Sequence, residues 1–162
     1  MSNPIPSPVL VGDTVVCMTG YRGNAIYSIG LSASGDATGS NFVRWHRDDA
    51  APYVASPALF GGRLYFTKER TGIMSSIDAA TGEIVIPQTR LPEIKDVYSS
   101  PVAVDGKIYF TSRDGTTTVI RHADALDVVS TNSLGEPVDA SLVIAGDRIL
   151  IRGNRHLFCV GN

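Results

Sequence analysis

The chain is poor in the residues that usually betray chemistry. It holds two cysteines and no Cys-x-x-Cys pair, one tryptophan, three histidines, and 14 basic against 16 acidic side chains. Two thiols far apart, Cys17 and Cys159, exclude a zinc-ribbon spacing and read as buried free thiols in apolar runs. A net charge of −2 gives no basic face for a nucleic acid. No run approaches the roughly 20 apolar residues of a membrane span. The opening residues, Met1 to Pro6, carry neither the charged nor the apolar part of a signal peptide, so the compartment stays unassigned. Gly-x-Ser-x-Gly, P-loop and Gly-x-Gly-x-x-Gly patterns are missing, and Gly20-Tyr21-Arg22-Gly23 is a loop with no phosphate-binding helix behind it.

What the chain has is repetition. Four segments of twelve residues align without a gap, opening at Ser7, Ser56, Ser100 and Ser141, and thus 49, 44 and 41 residues apart. Spacing in the forties suits propeller blades and also helical repeats. The content separates the two. Each segment is an apolar run, a two-residue turn and a second apolar run. The turns are Gly12-Asp13, Gly61-Gly62, Asp105-Gly106 and Gly146-Asp147. These residues tolerate the positive φ of a tight hairpin, and a helix would not keep them in mid-run. Val, Ile, Tyr and Phe dominate the flanks, as in strands.

The second strand of each hairpin is apolar at consecutive positions, Leu64-Tyr65-Phe66 and Ile108-Tyr109-Phe110 being the clearest. A sheet with one wet face would alternate, so both faces are expected to be covered. A polar loop follows, then a third strand at Ala25–Ile29, Met74–Ile77 and Val119–Arg121, then a turn such as Asp78-Ala79-Ala80-Thr81-Gly82 into an outer strand. Ser32 to Gly39 lengthens that hairpin in the first unit, and Ala123 to Leu126 replaces it in the third. The last unit ends after a third strand opened by His156. The expected architecture is an all-β propeller fragment of about four four-stranded antiparallel blades, at 7–55, 56–99, 100–140 and an incomplete 141–162.

The pattern Ser-Pro-x-x-x-(Asp/Gly)-Gly-x-(Ile/Leu)-Tyr-Phe, a polar Asp-Gly loop and Asp-Ala-Ala-Thr-Gly resembles the pyrroloquinoline-quinone-like propeller repeat across essentially the whole chain. The tryptophan that such blades usually place after the Thr-Gly turn occurs once, as Trp45. The resemblance implies a ring of seven or eight blades, of which this is about half and the C-terminal portion, and full-length relatives that are usually periplasmic or secreted. It also implies two activity classes. Enzymes of the family oxidise alcohols or sugars with a quinone and Ca²⁺, which require oxygen ligands, a carboxylate base and often adjacent cysteines. This sequence has no such set, and no catalytic residue, cofactor or metal ligand is assigned. The other class is a non-catalytic scaffold, like the barrel-assembly lipoprotein of the bacterial outer membrane. A severed tail of a quinoprotein dehydrogenase is the alternative.

Three arginines, Arg22, Arg70 and Arg113, follow the second strands at similar places and are expected on one rim, able to meet carboxylates or phosphates. His46, His122 and His156 read as surface or turn residues, and Asp48-Asp49 as a solvated loop. A protein partner or self-association is expected, with a homodimer as one route to a complete propeller.

Overall fold

A computed structural model describes residues 3–161. Met1, Ser2 and Asn162 lie outside the described residues, so part of the stretch read for a signal peptide does too. The described chain is all β. Fifteen strands form four antiparallel sheets in sequential order. The first holds β1 (Val9–Val11), β2 (Thr14–Thr19), β3 (Ala25–Gly30) and β4 (Val43–Arg47). The second holds β5 (Ala58–Phe60), β6 (Arg63–Thr67), β7 (Ile73–Asp78) and β8 (Ile84–Arg90). The third holds β9 (Val102–Val104), β10 (Lys107–Thr111), β11 (Thr116–Arg121) and β12 (Val128–Ser133). The fourth has three strands, β13 (Val143–Ala145), β14 (Arg148–Arg152) and β15 (Leu157–Val160). His156 precedes that last strand instead of opening it.

Each sheet begins with the expected hairpin. Gly61-Gly62 and Asp105-Gly106 take positive φ at both central residues, whereas Gly12 and Gly146 take it at the first. These are the mirror-image turns whose twist suits right-twisted strands. Their register is tight: Phe60 faces Arg63 and Val104 faces Lys107.

Stacking of the sheets explains the consecutive apolar residues. In β6, Leu64 and Phe66 join the cluster with Val16, Met18 and Ile26 of the first sheet. Tyr65, between them, joins the cluster with Ile108, Phe110 and Ile120 of the third. One strand therefore feeds two cores, and all three side chains are nearly or fully buried. Trp45 of β4 lies on Gly82, where a Cβ would come 2.6 Å from the indole. Only glycine's bare backbone lets the ring approach this closely.

Linkers run from the outer strand of one sheet to the inner strand of the next and are stitched to the loops between second and third strands. Glu69 N–H donates to Ala51 O (2.8 Å), Tyr53 N–H to Glu69 O (3.1 Å) and Val97 N–H to Arg70 O (2.8 Å). The same stitching recurs where Arg113 N–H donates to Asp96 O and Val138 N–H to Arg113 O. All these loops and linkers emerge at one end of the array.

The two cysteines depart from expectation. Cys17 is half-buried and Cys159 exposed, both free. Each lies in an apolar strand of a terminal sheet, where one face has no neighbouring blade. Burial pushes the Cys17 thiol pKa up.

Candidate functional site

Because the linkers and loops meet at one end, polar side chains converge there. A groove of about 830 Å³ runs between the first two blades, lined by Tyr21, Arg22, Tyr53, Glu69, Arg70, Lys95 and Asp96. The Tyr21 and Tyr53 rings stack with centroids 4.8 Å apart and planes 21° off parallel. Arg22 lies over the Tyr21 ring at 5.3 Å. Arg22 and Glu69, on opposite lips, both hold left-handed backbone (φ 52° and 51°). Side chains with a Cβ seldom sit there, and such strain concentrates at binding sites.

The next loop binds to this groove through Tyr98. Its hydroxyl accepts from Arg70 Nη1 at 2.7 Å, and its ring carries Arg70 at 5.2 Å and Arg113 at 4.1 Å. Asp96 sits between the two guanidiniums, 3.5 Å from Arg70 Nε and 3.3 Å from Arg113 Nη1. Arg113 also donates through Nε to Asp139 at 2.6 Å. The Asp139 and Asp96 hydrogen bonds raise the Arg113 pKa. Its charge is spent inside the protein.

The three arginines are thus not alike. Arg22 and Arg70 each come three residues after a buried threonine, Thr19 and Thr67, and share the groove. Arg113 comes two residues after Thr111 and occupies the place of Glu69, as the matching amide bonds to the preceding linker show. Among the described residues Arg22 and Lys95 form no ion pair. With Arg70 half-committed to Asp96, the groove presents more positive charge than negative, beside a stacked tyrosine pair. Such a site suits a carboxylate next to a flat or apolar group.

One histidine needs correction, and the other two sit at the surface as expected. His122 is no mere turn residue: its Nδ1 is 2.7 Å from the Tyr65 hydroxyl, and its ring meets Phe60 edge-on at 5.3 Å. It fills the gap above Gly61 and ties the third blade to the second. His156 is exposed but bonded through Nδ1 to Glu136 Oε2 at 2.6 Å. Glu136 is 3% exposed and also accepts the Arg155 and His156 amides at 2.7 and 2.9 Å. The His156 bond and then the two amides hold its pKa at about 2. His46 is exposed and stacks on Tyr27. Asp49 is not simply solvated, since Arg47 grips it in two hydrogen bonds of 2.9 and 2.8 Å. Sequence periodicity gave no sign of Glu136, which lies in a linker outside the repeat.

A quinone and Ca²⁺ do not fit these residues. Among the described residues no three His, Cys, Asp or Glu side chains gather as a metal site. Cys17 and Cys159 belong to the first and last sheets, so no adjacent cysteine pair exists to face a cofactor.

No protein-family model matches the chain, and no curated protein does. Solved structures do. BamB from Moraxella catarrhalis is 15% identical and superposes with a TM-score of 0.69 over 93% of this chain and 43% of its own. The computationally designed Ika4 protein is 10% identical, with a TM-score of 0.74 over 99% of this chain and 92% of its own. A europium-containing methanol dehydrogenase is 16% identical, with a TM-score of 0.56 over 78% of this chain and 24% of its own. The chain therefore has a β-propeller fold and spans less than half the length of the BamB chain. Likeness at this identity extends to fold alone and leaves enzymatic status open.

Proposed function

We propose that the chain is a scaffold built of pyrroloquinoline-quinone-like repeats, without catalysis of its own, that docks a protein partner on its loop end. Arg22, Arg70 and Lys95 would receive a carboxylate of the partner, while Tyr21 and Tyr53 take an apolar or aromatic side chain. Arg113 stiffens the floor through Tyr98, Asp96 and Asp139 and is not part of the contact. The carrying observation is the groove itself, with Arg22 and Lys95 outside any ion pair among the described residues and strained backbone on both lips. Likeness to BamB supports a protein-binding role. Binding through blade edges, to another protein or to a second copy, belongs to the same reading.

A short Glu- and Phe-containing peptide, titrated into labelled protein and followed by NMR, tests the groove. Shifts are expected at 21–23, 69–71 and 95–96. Affinity should fall about tenfold or more in an R22A/R70A double variant, since a charge-assisted hydrogen bond contributes ~1.5–3 kcal/mol. Added salt should weaken binding as well. Shifts elsewhere, or unchanged affinity in the variant, would sink the proposal.

The second reading, the C-terminal part of a quinoprotein dehydrogenase whose site lies in other blades, is favoured by the methanol dehydrogenase likeness. Dye reduction by the complete gene product with added quinone and Ca²⁺ would establish it.

A further inference from the structure

The contacts between blades inside the chain share one device at the start of the inner strands. The backbone N–H of Ser7 donates to the hydroxyl of Ser56, that of Ser56 to Ser100, and that of Ser100 to Ser141, each at 2.9 Å. Every step gives an amide forward and receives it on the next hydroxyl. The relay has two loose ends among the described residues. No amide donates to the Ser7 hydroxyl, and the Ser141 N–H finds no acceptor. One end is an acceptor and the other a donor, and both serines are exposed.

The faces beside them are related in the same way. Within the chain, one residue of each second strand points forward: Val16, Tyr65, Tyr109. It meets two residues of the next blade that point back: Leu64 and Phe66, Ile108 and Phe110, Ile149 and Ile151. The fourth blade offers Leu150 at the forward place, half-exposed. The first blade offers Val15 and Cys17 at the backward places, also half-exposed. Cys17 lines an apolar hollow of about 670 Å³ with Tyr27, Ile29 and Val43.

We propose that a second copy of this chain covers both faces. Leu150 of each copy seats on Val15 and Cys17 of the other, and each Ser141 amide donates to the partner's Ser7 hydroxyl. A head-to-tail contact made twice closes a two-fold ring of eight sheets, with no loose end left in the serine relay. The interface continues one already used three times within the chain. An array of this extent has been solved: the chain covers 92% of Ika4. The fourth sheet has three strands, and its β15 edge is the one remote from the inner strand β13, so the closing contact does not depend on it.

Light scattering on the purified chain at micromolar concentration reads the outcome. The expected mass is twice 17.2 kDa. Leu150→Asp alone should halve that mass while far-ultraviolet circular dichroism keeps its β signal. A Ser7→Cys/Ser141→Cys pair, in a Cys17→Ser/Cys159→Ser background, leaves both apolar faces largely native. With a short bismaleimide it should give one cross-linked species of dimer mass. A ladder of larger species would mean an open filament and overturn the ring. A monomeric mass without cross-linking would overturn the proposal altogether and assign the faces to blades of another polypeptide.

Discussion

The second and fourth blades carry the same hairpin in opposite circumstances. In the second, Leu64, Tyr65 and Phe66 are each at most 2% exposed, because a blade lies on either side. In the fourth, Ile149-Leu150-Ile151 repeats the pattern, yet Ile151 alone is buried, through contact with the third blade. Val143, Leu157 and Val160 are 55%, 65% and 49% exposed. An apolar run in a repeat thus specifies how many neighbours a strand is built for, and the neighbours decide how much of the run leaves water.

Substitution at one aligned position tests this most strongly. Tyr65→Ala should cost ~3–5 kcal/mol, as expected for truncating a large side chain in a packed core. Leu150→Ala should cost below ~1 kcal/mol if its face is open in solution, as surface changes do. Urea unfolding of both variants measures the gap. A cost of ~2–5 kcal/mol at Leu150 would instead show that face covered, the value a buried leucine gives.

A finer cut concerns the tie between second and third blades. Tyr65→Phe keeps the ring in the core but removes the hydroxyl that meets His122. The expected loss is ~0.5–1.5 kcal/mol, the net contribution of one hydrogen bond. His122→Ala combined with Tyr65→Phe should cost less than the two changes summed, since the residues share that bond. Additive losses would show that His122 acts only by packing over Gly61.

The strands, the turns and the order of the sheets were legible because each rests on a local rule repeated four times. Gly-Gly and Asp-Gly dictate the hairpins, and Leu64-Tyr65-Phe66 implies two covered faces. What failed to appear in the sequence rests on pairs with no periodicity. Tyr65 and His122 are 57 residues apart, Glu136 and His156 are 20 apart, and neither spacing belongs to the repeat. The cysteines were misjudged for a related reason: apolar flanks imply burial only where a neighbouring blade exists. The arginines were half-legible. Aligned by the apolar strand, no two fall at the same place: Arg22 comes five residues after Cys17, Arg70 four after Phe66 and Arg113 three after Phe110, and the Arg113 guanidinium is drawn inward to Asp139 and Asp96.

The smallest effect is local to the fourth blade, whose last hairpin is held by Glu136 instead of by a neighbour. Its pKa of about 2 lies below the ordinary 4.5, so the charged form is the one that folding favours. The contribution is therefore complete above pH ~4.5 and is lost as pH falls through about 2. Amide resonances of Arg155 and His156, the two donors to Oε1, should titrate with an inflection near that lower value. An inflection at 4–5 would show the carboxylate free of its partners. Glu136→Gln should abolish the inflection and loosen the β14–β15 turn, while the unfolding midpoint of the second blade's core stays where it was. That separation is what a nearly one-dimensional array requires, because the fourth blade touches the second only through the third.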